Sequence, residues 1–341
     1  MDQEIKEALK DWAKIIKPYK KSNTQKAIIQ VLNSFLPFIG LWILMYFSLS
    51  WSYWITLGLA IINSFFLVRI FIIQHDCGHQ SFFKARKWNN RVGWLCSIFS
   101  SIPYKYWATV HSYHHGHTGQ LDHRDVGDIN FLTVSEFRAL PLHKKIFYRI
   151  FRSPIFLFFI VPIIYLCLSN RYPFIGFKGW KSAHRSQYFN NIALAGVFIL
   201  LGSVLGWANF LMVHLPIVFF FGVTAFWFFY VQHQHEETYM QWGDKWDYLL
   251  AAIRGSTYYN LPKVFHWLTG NIGYHHIHHL SSQIPNYNLP KCAKENPILQ
   301  KYVHKLSFTD SLKTVYNKLW DEEQQRMISF REYYRLEKQR A

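Results

Sequence analysis

Cysteine is scarce in this chain. Its 341 residues hold four, Cys77, Cys96, Cys167 and Cys292, with no Cys-x-x-Cys among them. That spacing excludes a disulfide framework and a zinc ribbon. Acidic residues are few as well: 20 Asp and Glu face 37 Lys and Arg, for a net charge of +17. A basic excess of this size suits either nucleic acid or an anionic membrane surface. Charge is almost missing from four long apolar runs, where Arg69 is the sole exception. Those runs decide for the membrane, and no nucleic-acid partner is expected. Histidine, finally, is absent from the first 74 residues, although the chain contains 18.

What is present is apolar and aromatic: 50% of the residues are hydrophobic and 19% are Phe, Trp or Tyr. The four runs are residues 28–47, 54–73, 192–211 and 215–231. A bilayer core of about 30 Å takes about 20 helical residues, which each run supplies or nearly supplies. The first is too long for a signal-peptide core and reads as an uncleaved span. The connections Ser48–Tyr53 and Met212–His214 are short and carry no Lys or Arg, whereas basic residues crowd every other flank. The positive-inside tendency then puts both tails and the central region in the cytoplasm, within a multi-pass protein of the cell membrane. A fifth run, Ser153–Leu168, is short, contains Pro154 and Pro162, and has basic flanks. Together with Val92–Ile102 it is expected to be re-entrant or interfacial, because a crossing would separate histidines that otherwise share a side. Ile5, Leu9, Trp12, Ile15 and Ile16 lie at helical spacing among lysines. They suggest an amphipathic segment over residues 1–26, resting either on the membrane or on the cytosolic part. The expected fold is an all-α integral membrane protein. Two spanning hairpins, with interfacial helices, carry a cytoplasmic helical cap built from residues 74–191 and 232–341, and residues 27–341 form one domain.

The histidines follow the spans. His75 and His79 come as the second span ends, then His111, His114 and His115, then His233 and His235 after the fourth, and last His275, His276, His278 and His279. Residues i, i+3 and i+4 share a helix face, so His75/His79, His111/His114/His115 and His275/His278/His279 each converge. His276 is turned away from its trio. Neutral imidazole is the commonest metal-binding side chain. These eight, with His233 as a ninth, are too many for one metal and suit two. Zinc sites close with three or four ligands, whereas imidazole also suits iron, a metal that changes valence. Soluble di-iron bundles use Glu-x-x-His, which does not occur in this sequence. The expectation is a histidine-rich di-iron site. Trp107, Trp227 and Trp267 are candidates to line a substrate tunnel, or else pack in core or belt. Asp76, Asp122 and Asp128 either orient ligand imidazoles or cap and solvate.

These phrases resemble the three histidine boxes of the membrane fatty acid desaturases: His75-x-x-x-His79, His111-x-x-His114-His115 and His275-x-x-His278-His279. Arg69–Ile73 before the first box, Gly270–Tyr274 before the third, His279–Tyr287 after it and Ser329–Tyr334 are similar to the bacterial and cyanobacterial acyl-lipid branch, nearest its delta-5 members. The resemblance implies four spans, a cytoplasmic cap, two iron ions and dioxygen as oxidant. It implies that a saturated acyl chain of a phospholipid gains a cis double bond, at delta-5. The family's ninth ligand, just past the last span, corresponds to His233. His117, His123, His235 and His276 have no dependable counterpart. The haem domain often fused in this family carries His-Pro-Gly-Gly, which does not occur in this sequence, so a separate electron donor such as ferredoxin or flavodoxin is implied. A hydroxylase on the same scaffold is the nearest alternative. A metal transporter would need polar groups at mid-membrane, which the four runs lack.

Overall fold

A computed structural model describes residues 1–340. Two short helices, α1 (Asp2–Ala8) and α2 (Trp12–Ile16), precede a spanning hairpin of α3 (Thr24–Ser48) and α4 (Tyr53–Gly78). Then come α5 (Arg86–Ser100), α6 (Tyr104–His117), α7 (Val134–Ala139), α8 (Leu142–Phe151) and α9 (Val161–Ile164). A second hairpin pairs α10 (Lys181–Leu205) with α11 (Trp207–His233). The cap continues through α12 (Tyr248–Arg254), α13 (Lys263–Leu268) and α14 (His275–Leu280).

Four helices are long and apolar enough to cross a membrane: α3, α4, α10 and α11. Their outward faces are unpartnered; on α3, Ile28, Leu32, Leu36, Ile39, Ile43 and Phe47 form an exposed apolar stripe. In water such a stripe would be costly, and in lipid it is matched. α4 is the central element and packs on α3, α5 and α11. Asn23 caps α3 by accepting from the Lys26 N–H at 2.9 Å. The hydroxyls of Ser48 and Thr56, 2.7 Å apart, close the first hairpin. The second hairpin turns differently from the sequence expectation. Met212–His214, read as a connection, lies inside α11, and the turn is the single residue Gly206 at φ +83°. Glycine adopts this left-handed backbone without steric cost. His214 misleads the eye: it is buried in the helix, stacked on Phe210 at 5.3 Å. Arg69 does not snorkel to the membrane surface as its position suggests. It is buried, donates to the Trp267 carbonyl and to Asn33 Oδ1, and lies over the Trp267 ring at 4.0 Å.

The fifth apolar run is an irregular helix, with π turns at Phe156–Ile160 and Tyr165–Ser169 around α9, bent by 59° from α8. It runs along α11 from Tyr230, where Phe158 packs at 5.2 Å, to Gly222. A Cβ on Gly222 would lie 3.0 Å from Pro162 Cβ and 3.2 Å from Leu166 Cδ1. The chain then turns back at Arg171, whose guanidinium holds Asn191 Oδ1 at 2.9 Å and the Ser101 carbonyl. α5 keeps Trp88, Trp94 and Leu95 exposed on one side while burying its other face on α4.

Of the two placements open to the N-terminal segment, the structure has it packed on the cap: Ile5, Leu9 and Ile16 are buried with Leu250, Ile253 and Leu280. Two small sheets interrupt the helical cap. Leu132–Thr133 pairs in parallel with Leu319–Asp321, which pairs antiparallel with Arg326–Ile328. Thr257–Tyr259 pairs in parallel with His304–Leu306. These strands of two or three residues leave no period-2 pattern long enough to read.

Candidate metal centre

Each histidine box sits where a helix meets the cap. His75 lies in the last turn of α4 and His79 caps it; His111, His114 and His115 lie in the second half of α6; α14 is little more than the third box itself. His233 is the last residue of α11. The four elements bring these nine side chains into one buried cluster. Five of them (His75, His79, His111, His115 and His278) offer ligand atoms all within 4.8 Å of one another, and His114, His233 and His279 form a second such group. His275 joins the second group, its Nε2 2.9 Å from His233 Nε2 and 3.1 Å from His279 Nε2.

The rings are held from behind. His75 Nδ1 is 2.9 Å from Asp76 Oδ1, and Asp76 Oδ2 accepts the backbone N–H and side-chain amide of Asn286 at 2.6 and 2.8 Å. His114 Nδ1 is 2.7 Å from Asp128 Oδ1. His233 Nδ1 donates to the Gly255 carbonyl at 3.1 Å, and His279 Nδ1 is 3.3 Å from the Thr118 hydroxyl. Since a carbonyl only accepts, His233 carries its proton on Nδ1 and points the Nε2 lone pair inward. There it meets other imidazole Nε2 atoms. His278–His115 at 3.0 Å and His115–His111 at 3.1 Å repeat this approach, while His79 Nε2 and His114 Nε2 are buried with no partner. Lone pairs facing one another in a buried space repel unless a cation lies between them. The donor set fits metal on that ground.

Burial, and after it the neighbouring imidazoles, holds His79, His111, His115, His275, His278 and His279 well below the ordinary histidine range. They are neutral at physiological pH, the form that binds metal.

The remaining histidines lie outside both groups. His117 Nδ1 bonds the Tyr113 carbonyl at 2.9 Å, His123 Nδ1 meets the Tyr113 hydroxyl at 2.6 Å, and His276 Nε2 meets Gln300 at 3.1 Å. His235 stacks on His304 at 4.6 Å. Among the aspartates, Asp76 and Asp128 back the rings, whereas Asp122 accepts from the Gly243 N–H in a loop. Sequence reasoning missed Asn286, Thr118 and the Gly255 carbonyl. Asn286 lies in the quoted phrase after the third box, yet nothing in its spacing pairs it with Asp76.

An apolar cavity of about 480 Å³ reaches the cluster. His75, His111 and His275 are among its polar lining residues, and α11 contributes Gly222, Ala225 and Phe229 from one face. Trp107 lines it and stacks on His111 at 4.5 Å. Trp227 instead donates to the Tyr259 hydroxyl at 3.2 Å, and Trp267 lies under Arg69.

Four helices long and apolar enough to span a membrane, below a buried histidine cluster able to hold metal and joined to an apolar cavity, define the class of histidine-box membrane proteins. The chain belongs to the fatty acid desaturase family, whose profile matches residues 52–309. It is an oxidoreductase of that family. It is 41% identical over 331 residues to a fatty acid desaturase of Bacillus subtilis (strain 168), covering 97% of this chain and 93% of that one. An sn-1 oleoyl-lipid 12-desaturase of Picosynechococcus is 27% identical over 286 residues, 79% of this chain and 76% of its own. An sn-1 acyl-lipid omega-3 desaturase (ferredoxin) of Nostoc is 28% identical over 263 residues, 74% and 69% respectively.

Proposed function

We propose that this protein is a di-iron, dioxygen-dependent acyl-lipid desaturase. It introduces a cis double bond, at delta-5, into saturated acyl chains of membrane phospholipids. Its metal ligands are His75, His79, His111, His114, His115, His233, His275, His278 and His279. The observation that carries the reading is the inward-facing set of imidazole nitrogens at 2.9–3.1 Å, set at the wall of an apolar cavity.

When bound, two irons supply the redox chemistry in which two adjacent methylenes lose two hydrogens while dioxygen, two electrons and two protons become two waters. The chain's own residues do the rest. Asp76, Asp128, the Gly255 carbonyl and the Thr118 hydroxyl fix ring orientation. Trp107, Phe229 and Ala225 exclude water and hold the acyl chain straight past His75 and His111. A methylene chain offers no hydrogen-bond handle, so position along the cavity sets which carbons react.

The electrons come from a separate carrier of the ferredoxin or flavodoxin class; one similar protein names ferredoxin. The active site faces the cytoplasm, where the basic flanks meet anionic lipid. Metal analysis of the purified protein tests the reading. Two irons per chain with iron-dependent activity are expected, and zinc alone with no iron-dependent activity would contradict it.

A further inference from the structure

Asn170 ends the irregular helix that lines the cavity, and its setting is unusual. The residue is 2% exposed. Its backbone N–H donates to the Tyr165 carbonyl at 3.0 Å, and its own carbonyl accepts Gln187 Nε2 at 2.9 Å. The backbone is thus fixed and satisfied. The side-chain Nδ2 is buried with no partner, although Asn170 lines the cavity. A buried amide donor left unpaired is unfavourable, and such a donor marks the place of an acceptor. Tyr165, whose carbonyl the Asn170 N–H holds, lines the same cavity, as does Trp107. Phe71, Ile102, Leu166 and Phe226 are among the apolar residues of the same lining.

The location matches one group of an acyl lipid. Phe174, four residues after Asn170, both lines the cavity and is 69% exposed, so it offers an entrance on this side. Lys178, Lys181 and Arg185 follow in sequence, basic residues of the kind that meet lipid phosphate. Inward from Asn170, Trp107 leads to His111, four residues along α6 and about 6 Å in rise. An acyl chain entering here has its carbonyl at Asn170 and its first methylenes against Trp107. Further methylenes reach the histidine wall.

We propose that the Asn170 amide, supported by the Tyr165 hydroxyl, binds the carbonyl oxygen of the acyl ester or thioester and so fixes which carbon pair reaches the metal centre. Asn170 is a positioning residue, and its role rests on the desaturase reading above. The test compares wild type, Asn170→Leu and Asn170→Gln as full-length protein, with phospholipid in one arm and acyl thioester in the other, and locates the double bond by mass spectrometry. Leu keeps the volume and removes the donor. The share of off-position isomers should rise by roughly 2- to 10-fold, the range that loss of one such hydrogen bond spans. Gln keeps a donor, one methylene further along, and should retain a single dominant position. The arm that loses positional purity identifies the ester or the thioester as the bound form. A merely structural Asn170 would lower yield without moving the double bond. If Asn170→Leu is not recovered folded, Tyr165→Phe decides by the same readout. An unaltered positional distribution overturns the proposal and leaves the amide with a buried water. Wild type that makes no double bond overturns the desaturase reading with it, so the two failures are told apart.

Discussion

Four of the nine imidazoles have a partner behind the ring, and that unequal support predicts unequal effects. Asp128 Oδ1 lies 2.7 Å from His114 Nδ1, so Asp128→Asn should weaken metal retention by roughly 10- to 100-fold. Dialysis against chelator followed by metal analysis reads this, and unchanged retention would show that the contact orients nothing. Asp76 binds His75 and Asn286 together, so Asp76→Ala should lose metal and also loosen the segment after the third box. Replacing any of the nine proposed ligands by Ala, His278 for instance, should abolish desaturation while membrane insertion persists, since insertion depends on apolar length. His143 is exposed and remote, and its Ala variant should stay within about 0.5 kcal/mol of wild type. An active His75→Ala or His279→Ala protein would contradict the assignment.

The pH response has a definite sign. Six cluster histidines are held well below the ordinary range, mainly by burial. In the unfolded chain they titrate near 6.5, so below that pH the unfolded state binds more protons. Their contribution to stability is complete above about 6.5 and is lost as pH falls. The metal-free protein should therefore show a falling melting temperature from pH 7 toward pH 5, and a flat or rising profile would contradict neutral burial. The three boxes were legible because i, i+3, i+4 spacing is local geometry, which α14 realises in a helix of six residues. His233 was legible from its place after the fourth span and from its correspondence to a family position, whereas Asn286 was not, because its link to Asp76 spans 210 residues.

At the scale of elements, the spans were legible wherever apolar length alone decides. The turn at Gly206 was not: polar His214 and Pro216 drew the break several residues too late, since neither one stops a helix that lipid and neighbouring helices support. The burial of Arg69 left no local signal, since its partner Asn33 lies 36 residues before it and Trp267 lies 198 residues after it. The irregular helix approaches α11 closely at Gly222, where Pro162 and Leu166 pack. Gly222→Leu should press Pro162 and Leu166 away from α11, costing about 1–3 kcal/mol of overpacking and narrowing the cavity. Thermal melting in detergent and the chain-length distribution of products check this together. Wild-type values for both would mean that the segment yields freely.

For the whole molecule, topology is the open geometric claim. The irregular helix starts and ends on the histidine side of α10 and α11, so Lys178 should share the cytoplasmic side and Trp51 should lie outside. Cys167 is exposed while Cys77, Cys96 and Cys292 are buried, so Cys167→Ser gives a background for labelling K178C and W51C. Labelling of K178C from outside would overturn the arrangement. The most direct test of the central claim is to express the chain in a host without desaturases, with a compatible ferredoxin or flavodoxin, and to locate the modification in its phospholipids by mass spectrometry. The account predicts a cis double bond at delta-5 in saturated acyl chains, dependent on oxygen and lost in His278→Ala. Hydroxylated chains, or unaltered lipids alongside folded, iron-loaded protein, would contradict it.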